Sequence, residues 1–138
     1  MLSNYLFVYG SLRTLLRSSH SFGFSDTDCR FISHAYLTAK LYQVLDYPGI
    51  VESNQADEKV YGELYRLTDS DVLLALDEYE ECASHFPTPH EYIRKNLPVQ
   101  LTAGKSVNAW VYVYNRDVSG LKRIISGDWR WCINHQIV

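Results

Sequence analysis

The sequence predicts an α+β fold built on a curled or closed sheet. Aromatic and β-branched residues alternate in several short runs bounded by Gly, Pro, Asn and Asp, the pattern of half-buried strands. One segment, from Thr68 to about Glu81, carries apolar residues at helical spacing instead. At 138 residues and 46% hydrophobic, the chain is the size of one domain able to bury its own core. A single domain over residues 1–138, rich in strands and with one clear helix, is therefore expected.

The elements follow in order. Tyr5 to Tyr9 (YLFVY) reads as a buried strand that ends in a turn at Gly10. Leu12, Leu15 and Leu16 suggest a short helix or ordered loop over Ser11 to Ser19, and Ser18 to Asp28 reads as surface loop. Phe31 to Val44 fits two strands or one long bent strand. Asp46-Tyr47-Pro48-Gly49 signals a turn, after which Ile50 to Glu52 resumes as strand and Ser53 to Lys59 as polar loop. Val60 to Leu67 (VYGELYRL) is a further strand, in which Gly62 marks a bulge or a close backbone approach. Thr68 has the character of an N-cap, with Asp69 and Asp71 in the first turn complementing the helix dipole. Cys82 to His90 is loop. Tyr92 to Leu101 and Val107 to Tyr114 are strands joined through Gly104, and Ser119 to Arg130 adds a short strand or helix.

Composition narrows the function classes. A net charge of -3 offers no basic field for nucleic acid or an anionic membrane. No window holds the roughly 18 apolar residues of a membrane helix, and Met1 to Tyr9 lacks the features of a secretory signal. Cys29, Cys82 and Cys132 are widely spaced and odd in number, so free thiols in a reducing, cytoplasmic setting are expected rather than disulfides or a zinc site. Most of the 11 tyrosines should pack on sheets with a polar tip, and some can line a pocket.

The helix holds the clearest chemical signal. At about 100° per residue, Val72, Leu73, Leu76 and Tyr79 form one apolar stripe. Glu80 lies about 50° from the centre of that stripe, Glu78 and Glu81 roughly 150° away, and Asp77 near the boundary. One carboxylate of the DEYEE cluster is thus aimed inward. Burial without partners raises a carboxylate's pKa, which suits a base working near neutral pH. The competing reading has the helix fray before Glu80, or Glu80 pair with an arginine such as Arg94.

Tyr9-Gly10-Ser11-Leu12-Arg13 follows a buried strand directly. Gly10 permits a sharp bend, and successive N–H groups there can converge on a carboxylate or an oxyanion. An ordinary strand-to-loop turn is the alternative. Other candidates are weaker: His85 and His90 lack a third ligand for a metal, Ser11 lacks a placed histidine base, and Cys82 follows the negative end of a helix, where a thiolate is disfavoured. Trp129 and Trp131 read as packing anchors.

FVYGSLR, YPG, VYGELYRL, LDEYE, Tyr92-Ile93-Arg94, AWVYVY and SGDW occur in order from Tyr5 to Trp129. Together they resemble the γ-glutamylcyclotransferase and AIG2-like family. The resemblance implies a small mixed, closed or nearly closed β-barrel flanked by a few helices, with a pocket at one barrel end. It implies that Tyr9, Gly10, Ser11 and Leu12 grip a γ-glutamyl group, that Glu80 is the catalytic acid/base, and that Tyr112, with Tyr114 as a substitute, borders the pocket. It implies a small-molecule γ-glutamyl substrate, release of 5-oxoproline, and no metal or cofactor. A non-catalytic small-molecule-binding module is the alternative within the group. Cys82 stands one step beyond Glu81, where the family often has glycine, and the Cys82–Glu91 loop is longer than in compact members.

Overall fold

The computed structural model describes residues 4–10, 29–68, 71–79 and 83–129. Seven strands and one helix fall in this set: β1 (Tyr5–Val8), β2 (Cys29–Gln43), β3 (Pro48–Glu52), β4 (Lys59–Leu67), α1 (Asp71–Tyr79), β5 (Tyr92–Leu101), β6 (Ser106–Tyr114) and β7 (Lys122–Arg123). The strands run in the order β3-β2-β4-β1-β6-β5, and β5 returns to pair with β2 through Ala35↔Leu101 and Tyr36↔Gln100. Five strands, β2-β4-β1-β6-β5, thereby close a small barrel. The barrel is mixed, because β1 and β6 run parallel while the other neighbours are antiparallel. Closure removes the free edges that an open sheet would expose.

Alternation along the strands divides the apolar residues into two layers. Phe7, Tyr9, Ala35, Leu37, Val60, Leu64, Val99, Val111 and Val113 fill the barrel. Leu6, Val8, Tyr65, Leu67, Tyr92 and Tyr112 point the other way and meet α1 through Val72, Leu73 and Leu76. These are three of the four residues that the periodicity picks out, and all three are buried, whereas Leu74 is exposed; the side chain of the fourth, Tyr79, lies outside the described set. Burying each stabilises the docked helix by about 1.5–3 kcal/mol. Residues 69–70 and 80–82, at either end of α1, lie outside the described set, and so does the expected capping geometry.

Several local expectations resolve. The Phe31 to Val44 region falls in one long strand, β2 (Cys29–Gln43), whose irregularity lies between Phe31 and Ser33. Gly62 is no bulge: β4 keeps register with β2 through it, and the glycine is needed because the carbonyl of Val8 and the ring of Phe7 press against it. The YPG turn is shorter than its sequence suggests, since Pro48 and Gly49 already belong to β3. Gly104, with φ +90°, turns β5 into β6. Cys29 is buried, and Trp129 is a core residue. The segment after Ser119 supplies the two-residue β7, which pairs with the far end of β2. Among the described residues no helix is long and apolar enough to cross a membrane.

Candidate active site

The site is built where β1 ends. On the helix side of the barrel, Val8 pairs with Glu63 of β4. Leu6 pairs in parallel with Trp110 of β6, which carries Val8, two residues on, alongside Tyr112. Tyr112 in turn pairs with Arg94 of β5. Glu63, Val8, Tyr112 and Arg94 therefore form one row across four strands, directly before Tyr9 and Gly10.

Helix α1 closes over this row and adds Asp77. Its carboxylate accepts two hydrogen bonds from Arg94, Nε to Oδ1 at 2.9 Å and Nη2 to Oδ2 at 3.1 Å. It accepts a third from the Tyr112 hydroxyl, at 2.7 Å. The Arg94 guanidinium also lies 4.5 Å over the ring of Trp110. Asp77 occupies the last turn of α1, where the helix dipole disfavours an anion and no basic residue of the helix offsets it. Arg94 supplies that cation from the sheet. The side chains are only 24% and 14% exposed, so this is a tight planar pair and not a surface contact.

Tyr112 links Asp77 to the bend. Its carbonyl accepts the Tyr9 hydroxyl at 2.7 Å, while its own hydroxyl serves Asp77. Tyr9 is thus linked through the backbone and side chain of Tyr112 to Asp77 and Arg94. Glu63, at 0% exposure the deepest carboxylate described, receives the Tyr65 hydroxyl at 3.0 Å. A carboxylate so far from water must be held by hydrogen bonds.

On the other side of the bend stands the YPG segment. A Cβ placed on Gly10 would lie 2.5 Å from Cγ of Pro48. Gly10 does not have the positive φ that would demand glycine; close approach to Pro48 is what excludes a side chain. Pro48 is held in turn, since its carbonyl accepts the Tyr92 hydroxyl at 2.5 Å and Gly49 packs against the Tyr114 ring. Tyr47 donates to Glu91 at 2.7 Å, and Arg116 approaches Glu91 at 4.0 Å. Burial first, and then the bond to Glu91, push the Tyr47 phenol well above its ordinary value. The loop before Glu91 is thereby tied to the YPG segment, and within it the His85 and Phe86 rings meet at a tilt while His90 meets the Phe86 carbonyl.

Of the residues the sequence singles out, Tyr9, Gly10 and Tyr112 come together at the end of β1. Tyr114 lies nearby against Tyr92. Glu80, Ser11 and Leu12 lie outside the described residues. Both tyrosine hydroxyls are engaged within the protein. The Arg94 guanidinium binds Asp77; its alternative pairing with Glu80 lies outside the described residues. Among the described residues no group of three or more His, Cys, Asp or Glu could hold a metal.

The comparisons with known proteins agree with this architecture. Residues 6–131 match the model of the family described as gamma-glutamyl cyclotransferase, AIG2-like. The chain belongs to that family. It is 38% identical over 124 residues to the gamma-glutamylcyclotransferase family protein YtfP of Escherichia coli K12, covering 90% of this chain and 94% of that one. The solution structure of Escherichia coli ytfP superposes with a TM-score of 0.57 at 31% identity, over 91% of this chain and 95% of the other. The crystal structure of an AIG2-like protein from Mus musculus shares the fold, with a TM-score of 0.64 at 24% identity, over 90% and 87% of the two chains.

Proposed function

We propose that the protein is a γ-glutamylcyclotransferase-type enzyme that converts a γ-glutamyl amine or γ-glutamyl amino acid into 5-oxoproline and the free amine, with Glu80 as general acid/base. The observation that carries this reading is the tie between the bend and the helix. Asp77, bonded to Tyr112 and through it to Tyr9, stands three residues before Glu80. Three residues of chain span at most about 11 Å. The carboxylate of the LDEYE motif therefore starts from an anchor beside the bend that would hold the γ-glutamyl group. Family membership supports the same reading.

In this mechanism the α-amine of the γ-glutamyl group, freed of a proton by Glu80, attacks its own γ-carbonyl. The new N–C bond closes a five-membered ring. The C–N bond to the departing amine breaks, and Glu80 returns the proton to that amine. One carboxylate serves both transfers, so the reaction as written draws on no cofactor. Backbone donors at the Tyr9–Gly10 bend would bind the substrate's α-carboxylate, and holding the chain in a near-attack shape contributes several kcal/mol through orientation.

The test is an assay for 5-oxoproline over a panel of γ-glutamyl amines and γ-glutamyl amino acids, run on the wild type and on Glu80→Gln. The wild type should turn over at least one substrate. The variant should fold normally and lose about 10²- to 10⁴-fold in rate. Full activity in the Gln variant would remove Glu80 from the mechanism. A wild type that binds these compounds without releasing 5-oxoproline would make the protein a binding module.

A further inference from the structure

The reaction needs its acid/base held in register with the bend that grips the substrate, and the described residues contain a device suited to that task. We propose that Asp77 and Arg94 are positioning residues for the cyclisation, an inference that rests on the function proposed above. Neither need touch substrate.

Four observations converge on the pair. Arg94 meets Asp77 through both ends of its fork, at 2.9 and 3.1 Å, so the contact fixes orientation as well as distance. Arg94 is braced from below by the Trp110 ring at 4.5 Å. Asp77 is fixed a third time by the Tyr112 hydroxyl, and Tyr112 is the direct cross-strand partner of Arg94. Finally, Tyr112 accepts the Tyr9 hydroxyl, one residue before Gly10. The last turn of α1 is thus referenced to the end of β1 by side chains from β5 and β6.

Apolar packing alone would not do this. Val72, Leu73 and Leu76 hold α1 on the barrel, but hydrophobic contact is non-directional and tolerates a small slide or roll. A fork clamped to a carboxylate at the end of the helix nearest Glu80 does not. A lysine at position 94 would keep the charge and lose the fork, which separates a positioning role from a merely electrostatic one.

The experiment compares wild type, Asp77→Asn, Arg94→Lys and the double variant, with Lys95→Gln as a control. Lys95 sits beside Arg94 in sequence but pairs with Glu52 on the exposed surface. In Asp77→Asn the Tyr112 hydroxyl retains an acceptor, while the fork and the charge are lost. Because displacement of a reacting group by about 1 Å can cost roughly 10²-fold, both single variants should lower kcat by about 10- to 100-fold with KM changed less than about threefold. The double variant should fall no further than the worse single one, since both remove the same tether. Amide exchange should quicken in residues 71–79 and stay unchanged in β4 and β6. The control should match wild type.

Folded variants with wild-type kcat, a rise in KM at constant kcat, or full activity in Arg94→Lys would each overturn the positioning role. Should Asp77→Asn fail to fold, Arg94→Lys alone decides by the same criteria. A wild type that releases no 5-oxoproline is a different result: it overturns the proposed reaction, and the positioning role with it.

Discussion

Replacing Gly10 with alanine would drive a methyl group into the ring of Pro48. The Cβ would lie 2.5 Å from Cγ and 3.0 Å from Cδ, so the bend and the ring must part by about 0.9 Å to reach ordinary contact. Pro48 has little room to retreat. Its carbonyl is held by the Tyr92 hydroxyl, and a Cβ on neighbouring Gly49 would already crowd Tyr114 at 2.9 Å. Overpacking of this kind costs about 1–3 kcal/mol. Against that, Gly→Ala restricts the unfolded chain and returns about 0.4–1 kcal/mol. The net loss should be at most about 2.5 kcal/mol, or up to roughly 10 °C in Tm for a chain of this length.

The partner variant makes the argument sharp. Pro48→Ala removes Cγ and Cδ and leaves Cβ, which lies 3.9 Å from the Gly10 Cβ position, an ordinary van der Waals distance. In the double variant the clash disappears, so Gly10→Ala should cost almost nothing on the Pro48→Ala background. Four thermal or urea melts complete the double-mutant cycle. The coupling energy should have the sign of a relieved clash and about the magnitude of the single-variant loss. An uncoupled cycle, with Gly10→Ala equally harmful beside alanine 48, would refute close approach as the reason for glycine and return the argument to backbone conformation.

Three further outcomes are expected. Gly62→Ala should be the harsher glycine substitution, about 3 kcal/mol or more by urea midpoint, because its methyl would meet the Val8 carbonyl, a backbone atom at the β1–β4 seam that has no rotamer to yield. The Glu58 carboxyl is held below the ordinary range, first by the Ser53 hydroxyl and then by Arg123; since the folded value is depressed, its contribution is present above about pH 4 and lost as pH falls through the depressed value, and Ser53→Ala should raise the Glu58 midpoint in a carboxyl NMR titration. Tyr47 has its pKa raised, so its contribution is complete below the ordinary phenol value of about 10 and is lost only at higher pH; an ultraviolet titration should find this phenol still protonated after exposed tyrosines ionise, and Glu91→Gln should bring it down.

Much of the fold is legible because its elements are local. YLFVY is a short apolar run, VYGELYRL a strand-type segment and AWVYVY a clean alternation, and each becomes the strand expected of it. The stripe of Val72, Leu73 and Leu76 likewise becomes the buried face of α1. What periodicity does not carry is the order of strands. Nothing in the sequence states that β5 closes on β2 through Ala35 and Tyr36, or that β1 runs parallel to β6 while pairing antiparallel with β4. The residues alone allow a curled or a closed sheet, and only the resemblance to a family implies the barrel.

The site shows the same division more sharply. Parity within VYGELYRL places Glu63 on the face of Tyr65 and Leu67, and parity within AWVYVY places Tyr112 on the face of Trp110 and Tyr114, so each strand's contribution is readable alone. That Glu63, Tyr112 and Arg94 share one row depends on Val8 sitting between them, which only the mixed pairing of β1 brings about. Asp77 illustrates the consequence. The wheel sets it at the edge of the apolar stripe, where an acid is normally solvated, and its arginine comes from a strand 17 residues later. A boundary acid in the last turn of a helix, with no basic residue in that turn, is nonetheless a signal that the sequence holds: the dipole disfavours it, so either water or a cation from elsewhere must compensate. Here the cation comes from the sheet, and the compensation also ties the helix that leads to Glu80 to the strand that leads to Gly10.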